Sequence, residues 1–143
     1  MKITVCSSCE FAQEAKKASG FLEAKGFEVF LPDTCEKIVS GKISKRQILE
    51  EKETGAISER VNSGNLTMLH FSKIKKSDAI LVLNYSKKGI ANYIGYSVFL
   101  EIGLAFGLEK KVFLLNPIPA VPYAEEIRLF HPIVLDGNLD LIK

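Results

Sequence analysis

Two short runs that are almost entirely apolar constrain the fold of this 143-residue chain more than any other feature. Residues 79–83 read AILVL and residues 111–115 read KVFLL. Strands of this kind occur in parallel sheets, because helices cover both faces of such a sheet. Three further strand-type runs lie at residues 2–6, 27–31 and 132–135. Together they predict a mostly parallel sheet of about five strands.

Segments with helical spacing of apolar residues separate these strands. They cover residues 10–25, 66–76, 92–108 and 123–130. Strands that alternate with helices predict an α/β fold of the flavodoxin- or Rossmann-like kind, with three α/β/α layers and right-handed crossovers. Residues 34–62 are polar and charged, and we interpret them as a lid or insertion with a possible helix at 44–53. Residues 1–143 are predicted to form a single domain.

Composition and charge argue against several classes of protein. The net charge is +2, and lysines interleave with glutamates, so no basic stripe indicates a nucleic-acid surface. The longest apolar stretch contains three glycines and a central charge, which argues against a membrane span. The opening MKITVC lacks the features of a secretory signal, and three cysteines do not suit a disulfide framework. We therefore expect a cytoplasmic protein that binds a small molecule and neither a nucleic acid nor a membrane.

The longest apolar stretch, residues 92–108 (NYIGYSVFLEIGLAFGL), contains a single charged residue, Glu101. Removing an ionised carboxylate from water costs several kcal/mol unless other groups compensate it. We interpret the stretch as a buried helix that presents Glu101 to a pocket, where the carboxylate is available for chemistry. The alternative is a glutamate at the helix edge that pairs with a lysine or contacts another subunit.

The predicted topology brings three loops together at the carboxyl ends of the strands, where open α/β sheets bind their ligands. The loops are residues 7–11, 84–95 and 116–123. Ser7 and Ser8 offer hydroxyl groups there. The free amides expected at a helix start near Gly95 and Ser97 suit a phosphate or a sugar hydroxyl. Tyr93 is a candidate for stacking on a base or sugar, with an ordinary core aromatic as the alternative.

The cysteine and histidine residues raise redox or metal-binding chemistry as an alternative. Cys6 and Cys9 form a C-x-x-C motif at the end of the first strand, and Cys35 adds a third soft ligand. A fourth ligand is missing from this part of the sequence, and buried structural cysteines are the commoner explanation of such spacing. His70 has no evident partner in sequence and is interpreted as a surface or structurally satisfied histidine. No metal or redox cofactor is expected.

Three segments resemble the nucleoside 2-deoxyribosyltransferase-like superfamily, which includes nucleoside 5′-monophosphate N-glycosidases. They are ITVCSSCEFAQEAKKASGFLEAKGFEVFLP, HFSKIKKSDAILVLN and GYSVFLEIGLAFGLEKKVFLLN, and they leave out residues 34–62. Within the last segment, Glu101, Gly103 and Ala105 match the family's E-x-G-x-A motif.

The resemblance implies that Glu101 is the nucleophile for cleavage of an N-glycosidic bond, in transfer of a deoxyribosyl group or in hydrolysis of a nucleotide. It also implies a homo-oligomer, for which the apolar helix and residues 116–123 are candidate interfaces. The first loop would line the sugar and base pocket through Ser8 and Phe11, and Gly95 and Ser97 would hold ribose or phosphate. The predicted ligand-binding residues are Ser7, Ser8, Phe11, Asn84, Asn92, Tyr93, Gly95 and Ser97.

The chain departs from the family pattern at two positions. Members of the family often carry an aspartate in the helix before the third strand, and His70 is the nearest polar counterpart in this chain. Transferases of the family usually have an aspartate about six residues before the nucleophile, where it holds and protonates the base, and this chain has Gly95 there. Base exchange, hydrolysis and a non-catalytic nucleotide-binding or interaction module therefore remain alternatives.

Overall fold

A computed structural model describes residues 1–143, and its centre is a sheet of five parallel strands. The strands are β1 (Lys2–Cys6), β2 (Glu28–Phe30), β3 (Ala79–Val82), β4 (Lys111–Leu114) and β5 (Ile133–Val134). Their order across the sheet is β2-β1-β3-β4-β5, and every neighbouring pair is parallel. The predicted number of strands and their parallel pairing are both confirmed.

Seven α-helices connect and cover the strands. They are α1 (Ala12–Ala24), α2 (Asp33–Val39), α3 (Lys45–Thr54), α4 (Ile57–Ser63), α5 (Leu66–Lys76), α6 (Tyr96–Gly107) and α7 (Ala124–Leu129). Short 3₁₀ turns at Cys9–Phe11 and Leu139–Leu141 complete the secondary structure. None of the helices combines the length and the apolar character needed to cross a membrane.

The two faces of the sheet form two separate apolar cores, because successive side chains of a strand point to opposite faces. Val5 of β1 packs in the core that contains Ala15 and Leu22 of α1. Cys6, the next residue, packs in the core that contains Ile74 of α5 and Ile102 of α6. Helices therefore cover both faces, and the predicted three-layer α/β/α architecture is confirmed.

Residues 34–62 form parts of three helices, where the sequence indicated one. The predicted helix at 44–53 corresponds to α3, whose start is capped by the Ser44 side chain accepting a hydrogen bond from the Gln47 amide at 3.0 Å. Helices α2 and α4 were not predicted. The Arg60 guanidinium of α4 donates two hydrogen bonds of 2.6 Å to the Glu51 carboxylate of α3, which lowers the pKa of Glu51 and joins these helices.

Helix α6 is shorter and less buried than its apolar sequence predicted. It begins at Tyr96, because Asn92 adopts a left-handed backbone conformation (φ 57°) and Gly95 is extended. One of its faces is exposed, with Tyr96 69% and Leu100 64% accessible to solvent. The opposite face packs on β3 and β4, and Glu101 lies between the two. The interpretation of residues 92–108 as one buried helix is therefore corrected at its first turn and along its outer face.

Candidate functional site

A cavity of about 670 Å³ opens at the carboxyl ends of β1 and β3. Its wall is formed by the turn after β1, the loop after β3, the first turns of α6, and α3. Seven of the nine predicted site residues line it, namely Ser7, Ser8, Phe11, Tyr93, Gly95, Ser97 and Glu101. Its position is the one at which open α/β sheets bind ligands, and its volume lies within the range of about 300–1,000 Å³ that is typical of ligand pockets.

Glu101 lies in the wall of this cavity and is nearly enclosed. Its side chain is 16% exposed. The Oε1 atom lies 3.6 Å from Nε2 of His70, whereas the buried Oε2 atom has no hydrogen-bond partner. Because buried carboxylate oxygens are rarely left without a partner, this atom is available to a ligand or to water.

A second cavity, of about 340 Å³, lies on the other side of Glu101. It is bounded by the turn that leads into α2 and by α4 and α5, and His70 forms part of its wall. Ser7, Ser97 and Glu101 line both cavities. The Glu101 carboxylate therefore lies at the partition between the two cavities.

His70 is the residue of this site that sequence reasoning missed. Its imidazole is 11% exposed and lies between α5 and α6, with Nε2 3.6 Å from both Cys6 Sγ and Glu101 Oε1. One signal was present in the sequence, since His70 is four residues after Leu66 and four before Ile74 and so shares the apolar face of α5. Its partners could not be inferred, because they come from β1 and α6.

The three cysteines are free thiols, and two of them are fully buried. Burial, followed by the charge of Glu101, raises the pKa of Cys6 well above its ordinary value. Burial and then the charge of Cys9 raise the pKa of Cys35 to about 12. A redox-active dithiol needs a thiol of lowered pKa. The environment of Cys6 raises the pKa of its thiol instead, which disfavours the redox alternative for the C-x-x-C motif.

Three lysines and three glutamates line the large cavity, namely Lys52, Lys87, Lys88, Glu10, Glu53 and Glu101. Lys87 Nζ donates a hydrogen bond to Ser8 Oγ at 3.0 Å and pairs with Glu10 Oε1 at 3.0 Å. Lys88 and Lys52 also line the cavity, and neither makes an ion pair with a carboxylate. The ammonium group of Lys88 lies 5.6 Å from the centroid of the Tyr93 ring.

The remaining predicted site residues, Asn84 and Asn92, do not line either cavity. Asn84 is buried and ties two loops together. Its Nδ2 donates to the carbonyl oxygens of Asn116 and Pro117 at 2.9 and 3.0 Å, and its Oδ1 accepts from the Asn116 amide at 2.9 Å. Asn92 contributes its carbonyl to the same amide group at 3.4 Å. Both residues support the loops behind the site, and we leave them out of the proposed ligand contacts.

The start of α6 is open toward the large cavity. Gly95 precedes the helix in an extended conformation, and no side chain caps the first amides. A Cβ atom at Gly95 would lie 3.3 Å from Cε1 of Tyr93, a tight contact that the missing side chain avoids. Helix starts with free amides attract anions and hydroxyl oxygens.

Comparison with known proteins gives a distant structural likeness. The chain matches no protein-family model, and no curated protein matches its sequence. Among solved structures, it is similar to the CMP N-glycosidase BcmB of Clostridium botulinum, with 18% identity and a TM-score of 0.49. The alignment covers 94% of this chain and 88% of that chain. At this level of similarity, a shared family and a shared reaction do not follow.

Proposed function

We propose that this protein binds a nucleoside or nucleotide and cleaves its N-glycosidic bond, with Glu101 as the nucleophile. The observation that carries the proposal is the enclosed Glu101 carboxylate, which has one oxygen unpartnered and lines a cavity at the carboxyl ends of the parallel strands. The resemblance of the segment around Glu101 to the nucleoside 2-deoxyribosyltransferase-like superfamily supports the same role.

In this reaction, a Glu101 oxygen forms a bond to the anomeric carbon of the sugar as the bond to the base nitrogen breaks. The base leaves with the bonding electron pair and takes up a proton from solvent or from an acidic group beside it. The product is a glycosyl ester on Glu101, as in retaining glycoside chemistry. Water then attacks the anomeric carbon and releases the sugar and the free carboxylate, which is hydrolysis. Attack by a second base instead completes a transfer.

The polar groups of the cavity suit the remaining parts of such a ligand. Ser7, Ser8 and Ser97 supply hydroxyl groups for the sugar, and the Tyr93 ring supplies an aromatic surface for the base. Lys88 and Lys52 supply positive charge without an acidic partner. A lysine without an ion pair can bind a phosphate group, so we propose a nucleoside 5′-monophosphate as the substrate class.

A non-catalytic nucleotide-binding module is the second candidate, and the glycine at position 95 favours it. The family's base-protonating aspartate would stand there, and a base that leaves without a proton is a poor leaving group. The same cavity and the same lysines would then serve binding alone.

Incubation with a panel of nucleosides and 5′-monophosphates distinguishes these candidates, with free base as the measured product. We expect base release by the wild-type protein and none by Glu101→Gln. Glu53→Gln is the matched control, because Glu53 lines the same cavity but is exposed. Ligand binding without base release from any substrate would establish the binding module. Equal release by Glu101→Gln would exclude Glu101 as the nucleophile.

A further inference from the structure

Three side chains of the kinds that bind transition metals meet between β1, α5 and α6. The Cys6 thiol, the His70 imidazole and the Glu101 carboxylate each offer one ligand atom, and these atoms lie within 4.8 Å of one another. We propose that they form a three-ligand binding site for Zn²⁺. This proposal differs from the expectation drawn from the sequence, which was that no metal binds. That expectation considered the three cysteines as the ligands and did not include His70.

Two of the three separations between the ligand atoms are close to those of a tetrahedral zinc site. With a Zn–S bond of about 2.3 Å and a Zn–N bond of about 2.0 Å, tetrahedral geometry places sulfur and nitrogen about 3.5 Å apart. The distance from Cys6 Sγ to His70 Nε2 is 3.6 Å. The same geometry requires about 3.3 Å between nitrogen and a carboxylate oxygen. The distance from His70 Nε2 to Glu101 Oε1 is 3.6 Å, so only small side-chain rotations are needed.

The set of donors favours a transition metal such as zinc over magnesium and calcium. Thiolate and imidazole together disfavour Mg²⁺ and Ca²⁺, which prefer oxygen ligands, and suit Zn²⁺. On binding, the Cys6 thiol releases its proton to solvent and the thiolate becomes the ligand. Three protein ligands leave a fourth position free for water. The small cavity, which His70 and Glu101 both line, is the space that such a water would occupy.

The second coordination shell is incomplete, which limits the affinity. Nδ1 of His70 is buried and has no hydrogen-bond partner, whereas metal-binding histidines usually donate from that nitrogen to a fixed acceptor. Loss of such a partner lowers metal affinity by about 10- to 100-fold. We therefore expect reversible binding that a chelator removes, and not a permanently held structural ion.

Zinc binding would also block the proposed reaction, because Glu101 cannot act as a metal ligand and as a nucleophile at once. This consequence alone rests on the proposed function. The binding site itself follows from the three side chains and stands without any enzymatic activity.

Calorimetric titration of the chelator-treated protein with Zn²⁺ tests the site directly. We expect one equivalent to bind to the wild type, and we expect binding at least 10-fold weaker in Cys6→Ser and His70→Gln. Cys9→Ser is the matched control, because it removes the other thiol of the motif and leaves the three ligands intact. Circular dichroism establishes that each variant is folded. Equal affinity of folded Cys6→Ser, folded His70→Gln and wild type would overturn the site.

Substitution with Co²⁺ gives a second measurement that does not depend on stability. Thiolate coordination produces a charge-transfer absorption in the near ultraviolet, and tetrahedral coordination produces intense visible bands. We expect both in the wild type and in Cys9→Ser, with the charge-transfer band lost in Cys6→Ser. Absence of this band from the wild type would exclude Cys6 as a ligand. Base release by the chelator-treated protein should fall on adding Zn²⁺ and return with chelator. A protein that binds one Zn²⁺ but releases no base from any substrate in its metal-free form would overturn only the proposed function.

Discussion

His70 Nε2 lies 3.6 Å from Glu101 Oε1, across the contact between α5 and α6. The imidazole approaches the carboxylate on one side, and the second carboxylate oxygen has no hydrogen-bond partner. In a site without bound ligand, such a distance is compatible with a hydrogen bond that tightens when substrate binds. His70 is therefore a positioning residue for Glu101 in the proposed reaction.

Replacement of His70 by alanine should lower kcat for base release by about 100-fold, because misplacing a reacting group by about 1 Å has an effect of this size. KM should change little, since His70 does not line the large cavity. His70→Gln retains a donor near the carboxylate and should recover part of the loss. Steady-state kinetics at several pH values checks this, and a change in KM alone would contradict the positioning role.

Lys88 should contribute to the binding of nucleotides but not to the binding of nucleosides. Loss of one charge-assisted contact with a phosphate corresponds to about 1.4 kcal/mol or more, so Lys88→Ala should raise KM for a 5′-monophosphate at least about tenfold. KM for the matching nucleoside should stay unchanged. Lys75→Ala, on the exposed face of α5, is the control. Equal effects on both substrates would mean that Lys88 does not contact a phosphate.

The sheet could be predicted from the sequence because its signals are local. The apolar runs of β3 and β4 and the helical spacing of α5 each lie within one short segment, and their bounds agree with the structure to within a residue or two. Helices α2 and α4 have seven residues each and little apolar periodicity. Tertiary contacts, such as the ion pair between Arg60 and Glu51, contribute to the stability of these two helices.

The site was predictable where one residue was unusual by itself. A lone carboxylate in an apolar helix identified Glu101 as a residue that lines a cavity. His70 was missed because β1 lies next to β3 in the sheet, which brings Cys6 close to α5, and this order is not evident within any one segment. For Asn84 the sequence leaves two roles open. A polar residue after a buried strand serves a ligand or the loop equally well, and only its four hydrogen bonds decide between them.

Asn84 should therefore be important for stability. Replacement by alanine leaves the Asn116 amide and two carbonyl oxygens without their partner, and each buried unsatisfied group costs about 1–3 kcal/mol. We expect the free energy of unfolding to fall by about 2–4 kcal/mol. Urea denaturation measures this. Asn62→Ala, on an exposed position of α4, should change it by less than about 0.5 kcal/mol. A similarly small effect at Asn84 would show that water replaces the lost bonds.

Cys35 should make the stability depend on alkaline pH. Its pKa is about 12 in the folded protein and near the ordinary 9.0 in the unfolded chain. Between these values only the unfolded chain releases the proton, so rising pH favours unfolding by up to about 1.4 kcal/mol per pH unit. This stabilising contribution is complete below pH 9 and is lost as the pH approaches 12.

The measurement is urea denaturation at several pH values between 9 and 11, within the window that the two pKa values of Cys35 define. Cys35→Ala should show a shallower decline in the free energy of unfolding than the wild type. Ile48→Val is the control, because it alters a fully buried side chain without removing a thiol, and its curve should run parallel to the wild type. Identical slopes for Cys35→Ala and wild type would place the native thiol pKa near its ordinary value.

Self-association through α6 is the last prediction. Tyr96 and Leu100 are exposed apolar neighbours one helical turn apart, and Leu100 also lines the small cavity, so a second copy on this face would help to enclose it. In a two-fold dimer each substitution acts twice. Leu100→Glu removes about 1.5–3 kcal/mol of apolar burial from each copy, so the dimer should dissociate at least about 100-fold more readily.

Light scattering coupled to size-exclusion chromatography measures the mass of the particle in solution. Leu129→Glu, equally exposed but on α7, should leave it unchanged. A monomeric wild type, or a greater effect of Leu129→Glu, would exclude this face as the interface.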